Sequence, residues 1–305
     1  MDRHSSTRRA LGGVKDPSVR RRLAIDPDLQ AALALATAPR GDEAHAEGAE
    51  NDYGLDLDFR EQIKPIFRFL FESYWRVDVH GIDNVPHDGP VLLVGNHSGG
   101  LPFDATMVAY ALDNHEQGPR RVARPLYDRF VKNFGPIDAA YRKAGGAPAR
   151  YSVADELLLR GEMVVNFPEG VDGVAKLYDQ RYQLQDFSTS AARLSIRHRI
   201  PVVPFAVIGA EEIYPVIGRS EKAGEALGTP FVPITPFFPL LGMVGTVPLP
   251  TKWTIVFGKR IYLSRERRFR GAGATDFEAM TARLRRAVQG LVTRQLRRRS
   301  SIFFG

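Results

Sequence analysis

Val91-Leu92-Leu93-Val94-Gly95-Asn96-His97-Ser98-Gly99-Gly100-Leu101-Pro102-Phe103-Asp104 is the stretch that decides how this chain folds. Its first four residues are aliphatic on both alternate faces, as a central strand covered by helices on each side requires. Strand then gives way to a histidine, two glycines and an aspartate at an expected helix start. Ligands of open α/β sheets gather at the carboxyl ends of the strands, which is where this order puts His97. A histidine acting as general base must be neutral and held in one tautomer. A carboxylate accepting from its other ring N–H supplies orientation and supports the cation that forms. Asp104 is the candidate carboxylate, and Gly99 and Gly100 leave the loop free to fold back so that the two side chains meet.

Outward from this stretch, further runs rich in Val, Ile and Phe occur at Arg76 to His80, Glu162 to Phe167, Ile200 to Ile208 and Lys252 to Gly258. Turns or helical patterns separate them. Helices are expected at Asp104 to Leu112, Tyr127 to Asn133, Ser152 to Arg160 and Ser188 to Arg199. Between Phe59 and Trp75 the apolar residues recur at steps of four and three, an amphipathic helix with Pro65 in its first two turns. The last helix opens with Thr275 and Glu278 in capping-box spacing and carries an arginine face that includes Arg286, Arg294 and Arg298. The alternation predicts a single α/β domain over 55–300, with a mixed, mostly parallel central sheet flanked by helices. Residues 1–54, with few large apolar side chains, read as a largely disordered N-terminal segment. Phe231 to Pro250 is nearly all apolar but interrupted by prolines, so it reads as a greasy loop and not a spanning helix.

The chain holds 305 residues, a formal charge of +7 and no cysteine. Lack of cysteine excludes disulfides, cysteine-ligated zinc or iron–sulfur centres and a thiol nucleophile. The positive charge attracts polyanions. Arginines beside apolar, aromatic segments, with no nucleic-acid motif, favour an anionic lipid surface over nucleic acid. No export signal is visible, so the expected location is cytoplasmic, peripheral on the inner face of the membrane.

A second strand ends in Asn166-Phe167-Pro168-Glu169-Gly170, a turn presenting a carboxylate. A third apolar run begins Ile200-Pro201-Val202-Val203-Pro204-Phe205; Val202 to Ile208 is apolar on both alternate faces, as a central strand is, while the prolines suit an edge strand or the wall of a cleft. In this order the segments resemble the glycerolipid acyltransferase superfamily, which includes the lysophosphatidic acid acyltransferases. Asn96, His97 and Asp104 match its first block; Phe167, Pro168, Glu169 and Gly170 match its third. Pro201 to Phe205, with Pro204, match its fourth.

The resemblance implies that His97 deprotonates an acceptor hydroxyl, that Asp104 supports it, and that Glu169 and Gly170 help to position the acceptor. Acyl-CoA or acyl-carrier protein would be co-substrate, a lipid or alcohol the acceptor; no metal or cofactor is implied. Backbone N–H groups near Gly99, Gly100 or the helix start are candidates for an oxyanion hole. The chain departs from the family in three places. Six residues separate His97 from Asp104 where the family has four. Val171-Asp172 replaces the Ser/Thr-Arg that often follows Glu-Gly. The second block is only echoed by Gly135 to Asp138, with Arg142 downstream. Arg142 and Lys176 are the remaining candidates for an acceptor phosphate, and a less charged acceptor (diacylglycerol, glycolipid or long-chain alcohol) becomes an alternative. Two rival readings are a serine-type lipid hydrolase, although no Gly-x-Ser-x-Gly elbow is present, and a non-catalytic lipid-binding module. The sequence does not set the oligomeric state.

Overall fold

The computed structural model describes residues 53–98, 103–266 and 274–305. The expected disordered segment therefore lies almost entirely outside the described residues, as do Gly99 and Gly100.

Helix α1 (Leu57–Arg68) is capped by Asp56, whose carboxylate accepts from Phe59 N at 2.9 Å. Pro65 stands inside this helix and not at its start, and the chain continues through a π-helical turn, Phe69–Tyr74. Strands β1 (Asp78–His80) and β2 (Val91–Val94) follow, then helix α2 (Phe103–Asn114), which begins one residue before Asp104. Next come β3 (Ala123–Tyr127), helix α3 (Gly135–Lys143), β4 (Ala147–Pro148), helix α4 (Tyr151–Leu159) and β5 (Met163–Asn166). The helix expected over Tyr127 to Asn133 is instead the end of β3 and a short 3-10 turn, Arg129–Asn133, with the true helix starting after Phe134. Pro136 explains the shift, since it sits in the first turn of α3, where its missing N–H is harmless.

A short helix α5 (Val171–Val174), helix α6 (Ser190–His198) and β6 (Val202–Ile208) complete the central unit. Beyond them lie a small hairpin, β7 (Gly218–Ser220) and β8 (Val232–Ile234), with α7 (Glu221–Leu227) between its strands, then β9 (Thr254–Phe257) and α8 (Ala274–Leu296). Side chains of Ala274 and Thr275 are outside the described set, and with them the expected Thr275 cap.

The main sheet has seven strands in the order β1-β9-β6-β2-β5-β3-β4. All neighbours from β6 to β4 are parallel, β9 is antiparallel to β6, and β1 is parallel to β9. It is thus the mixed, mostly parallel sheet that the alternating pattern predicts. Its period of two divides the core: Leu92, Val94, Val164, Val202 and Ala206 pack with α4, α6 and α8, whereas Val91, Leu93, Val165, Val203 and Phe205 pack with α2, Trp75 and Trp253.

β6 is central, as its two apolar faces predict, and the edge-strand alternative suggested by the prolines of Pro201 to Phe205 is corrected. Pro204 stands opposite Val94 on the β2 side, and the β9 side shows how a proline is tolerated there. Val202 and Ile261 exchange backbone hydrogen bonds, regular pairing resumes at Phe205 with Phe257, and one more residue lies on the β9 strand between these points than on β6. Pro204 falls in that bulge, facing it with the ring nitrogen that cannot donate, while its carbonyl accepts from Gly258 N at 2.7 Å.

Candidate active site

The site is built where β2 and β5 end side by side. Their register pairs Val94 with Asn166, and Gly95 N donates to Asn166 O at 3.3 Å, so the chain leaves the sheet between two neighbours. Gly95 has no room for a side chain, since a Cβ there would lie 2.2 Å from the Phe205 ring. Asn96 is fully buried and ties this turn to β6: its Nδ2 donates to Val207 O at 3.0 Å and its Oδ1 accepts from Val207 N at 2.8 Å. The side chain thus makes the two bonds that a further strand residue would have made with its backbone.

His97 and Asp104 meet. Nδ1 of the imidazole is 2.7 Å from Asp104 Oδ2, and the same oxygen accepts from Ser98 N at 2.9 Å. The longer spacing thus leaves the two side chains in contact. Because a carboxylate only accepts, the ring proton sits on Nδ1 and the free base is Nε2. The ring stacks on Phe167, centroids 4.5 Å apart, and its side chain is 17% exposed. Burial pulls the His97 pKa down, but the charge of Asp104 and its hydrogen bond, helped by Glu169, outweigh that and hold it above the ordinary value.

Phe167, Pro168, Glu169 and Gly170 all lie at this corner. Phe167 stands edge-on to Phe205 at 5.6 Å, and Pro168 O accepts from Ser188 N at 3.0 Å. Gly170 has φ +56°, ψ −140°, a conformation that L side chains rarely adopt. Glu169 has no exposed side-chain surface. Its Oε1 accepts from His97 N at 2.9 Å and its Oε2 from Gln185 N at 2.7 Å, so the carboxylate grips the histidine's backbone instead of facing an open acceptor site.

Lys176 is enclosed as well. Its ammonium lies 3.4 Å from Glu169 Oε2 and 3.1 Å from Glu211 Oε1, with its side chain almost wholly buried. Glu211 also accepts from Asn96 Nδ2 at 3.2 Å and Tyr182 N at 2.8 Å. Burial pushes its carboxyl pKa up against the opposing pull of Lys176. Arg142, the other expected phosphate ligand, lies half-exposed on α3 and pairs with Asp138 at 3.0 Å. Both cations are thus already matched by carboxylates.

Four residues of this corner escaped the sequence reading. Gly173 faces the histidine so closely that a Cβ would lie 2.9 Å from His97 Cβ. Gln185 and Tyr182 act through backbone N–H groups, which leave no trace in residue type. Glu211 had one available signal, as it follows the carboxyl end of β6 by three residues, at the same sheet edge as His97 and Glu169. Among the described residues no group of three or more His, Asp or Glu is placed to hold a metal ion.

Beside the site, α1, α2 and α3 line a half-open, mostly apolar cleft of about 640 Å³. Ile63, Phe67, Leu70, Phe103, Ala109 and Tyr141 are among its lining residues. Phe103 and Ala105, which flank Asp104 in the chain, both border it.

The sequence model of the acyltransferase family matches residues 76–208, a span that runs from before β1 to the end of β6 and includes every motif above. An uncharacterized protein of Mycobacterium tuberculosis is 40% identical over 262 residues, 84% of this chain and 72% of its own length. An uncharacterized protein of Mycobacterium leprae is 38% identical over 262 residues, covering 84% of this chain and 70% of its own. Among solved structures, the 1-acyl-sn-glycerophosphate (LPA) acyltransferase PlsC of Thermotoga maritima has a similar fold, with a TM-score of 0.51 at 16% identity over 80% of this chain and 84% of that one. Taken with the ordered motifs and the sheet that carries them, these matches show that the chain belongs to the acyltransferase family.

Proposed function

We propose that this chain transfers a fatty acyl group from acyl-CoA or acyl-carrier protein to the hydroxyl of a lipid or long-chain alcohol, working as a peripheral protein on the cytoplasmic face of the membrane. The observation that carries this reading is the 2.7 Å contact between His97 Nδ1 and Asp104 Oδ2, which leaves Nε2 as the basic nitrogen. Nε2 takes the acceptor's proton while the acceptor oxygen attacks the thioester carbonyl. The new C–O bond forms, the C–S bond breaks, and the departing thiolate recovers the proton from the imidazolium. Asp104 supports the cation between these two steps. The apolar cleft bordered by Phe103 and Ala105, the chain neighbours of Asp104, has the size and lining that suit an acyl chain.

A weakly charged acceptor fits best. Asp172 is exposed where the family often has arginine, and both Lys176 and Arg142 are occupied by carboxylates. An acidic residue beside the site repels an acceptor phosphate.

The test is product analysis by mass spectrometry with purified protein, acyl-CoA and a panel of phosphorylated and neutral acceptors. Transfer is expected with neutral acceptors, abolished in His97→Ala and largely retained in Ser98→Ala. Loss confined to the serine variant would point to hydrolysis. A protein inert toward every acceptor, yet binding lipid, would sink the enzyme reading.

A further inference from the structure

The chain from Thr229 to Thr251 contains no Asp, Glu, Lys, Arg or His. Much of its apolar surface is open to solvent: Leu240 is 82% exposed and Val244 71%, and Phe237, Leu241 and Val247 are exposed too. Prolines and a 3-10 turn, Gly242–Thr246, keep the segment from packing as a regular element on the sheet. Hydrogen bonds fix it in place nonetheless. Tyr74 donates to Pro248 O at 2.6 Å, Tyr214 to Thr246 O at 2.7 Å, and Leu249 N to Ile213 O at 3.0 Å. The segment is thus an anchored surface, and exposed apolar patches of this kind mark interaction sites.

Its position follows from the topology. His97 and Glu169 leave the carboxyl ends of β2 and β5; the segment leads into β9, which runs against β6 and starts at Thr254 opposite Ile208, the carboxyl end of β6. β1 runs with β9, so Tyr74 and Trp75, which precede it, come to the same edge. The C-terminus joins them: Lys252 N donates to Ile302 O at 2.8 Å, and one Arg76 guanidinium nitrogen donates to both Phe303 O and Pro250 O. Phe304, 90% exposed, and Phe303 extend the apolar face. From Arg294 to Gly305 there are four arginines and no acid, of which Arg294, Arg297 and Arg298 are exposed while Arg299 pairs with Glu212.

We infer that this edge of the sheet docks on an anionic bilayer, with Phe237 to Val247 and Phe303-Phe304 entering the interface and Arg294, Arg297 and Arg298 meeting the headgroups. The choice of a bilayer over a protein partner rests on the acyl-transfer reading and on charge. Apolar tips with arginines beside them match an acyl–headgroup boundary, and docking there brings the His97 edge to its lipid acceptor. Among the described residues no helix is long and apolar enough to cross a membrane, so the docking is interfacial.

The cysteine-free chain makes the test direct. Leu240→Cys and Leu159→Cys, the latter exposed at the end of α4 on the opposite edge, each take one polarity-sensitive fluorophore. With vesicles of phosphatidylglycerol and phosphatidylcholine, the label at 240 should shift to the blue and the label at 159 should not. The double variant Leu240→Asp/Val244→Asp should melt with wild type and lose about a hundredfold in vesicle partitioning, roughly tenfold for each apolar side chain withdrawn. The inference is overturned if neither label responds, if both respond alike, if the double variant binds as wild type does, or if the label at 240 shifts with protein concentration alone, which would make a second copy the occupant. Docking by a protein that transfers no acyl group would uphold this face and defeat the acyl-transfer reading.

Discussion

Asp104 spends one carboxylate oxygen on two donors, the His97 ring and Ser98 N, so it orients the imidazole and closes the loop around it. Its charge also holds the His97 pKa above the ordinary 6.5 despite burial. A base works when neutral, so activity should rise with pH through a midpoint above that ordinary value. In Asp104→Asn the raising influence is removed while burial remains. The midpoint should then move to lower pH and kcat fall about a thousandfold, as a pH–rate profile would show; an unmoved midpoint would remove Asp104 from its role. Lys176 is a test of a different kind, because its ammonium sits between two buried carboxylates. Lys176→Met should cost about 3–5 kcal/mol in urea unfolding by leaving those charges unmatched, and should lower kcat by loosening Glu169 from His97 N. Glu211→Gln added to it should restore part of both losses, an outcome that simple loss of packing at Lys176 does not produce.

Elements are held to one another by close approach as much as by pairing. β2 turns into the His97 loop at Gly95, directly under the Phe205 ring of β6. Gly95→Ala should destabilise by about 1–3 kcal/mol through overpacking, and Phe205→Leu in the same chain should recover much of that, read from melting temperatures of the four proteins in the cycle. β6 illustrates how a local rule yields to its surroundings. Two prolines in an apolar run favour an edge strand, yet a bulge against β9 lets Pro204 occupy the middle of the sheet. The π-helical turn after α1 carries Tyr74 and Trp75 to the head of β1, where Trp75 stacks on Trp253 at 4.4 Å and closes the core on that side. Neither the bulge nor the π turn is written in residue types.

At the scale of the molecule, three helices from separate parts of the chain line the half-open cleft bordered by Phe103 and Ala105. Small residues such as Ala109 keep it open. Ala109→Phe should shift the preferred donor toward shorter acyl chains with little loss of stability, measured as the ratio of kcat/KM across acyl-CoA lengths. An unchanged ratio would mean that the acyl chain lies elsewhere. Five of the seven strands of the main sheet, and His97, Asp104 and Phe167 to Gly170 at its edge, were legible in the chain itself; β3, β4 and the buried partners Tyr182, Gln185 and Glu211 were not. Apolar periodicity is a local property, and the His97, Asp104 and Phe167-to-Gly170 motifs stand at strand ends that any parallel sheet gathers along one edge. What Glu169 and Lys176 do was decided only by folding. Their types suggested groups facing substrate, but burial without partners is so costly that the fold matched them to each other, to Glu211 and to backbone N–H groups far away in sequence. The greasy loop was legible as composition; that it shares the His97 edge depends on β9 running against β6, a long-range pairing that no local pattern specifies.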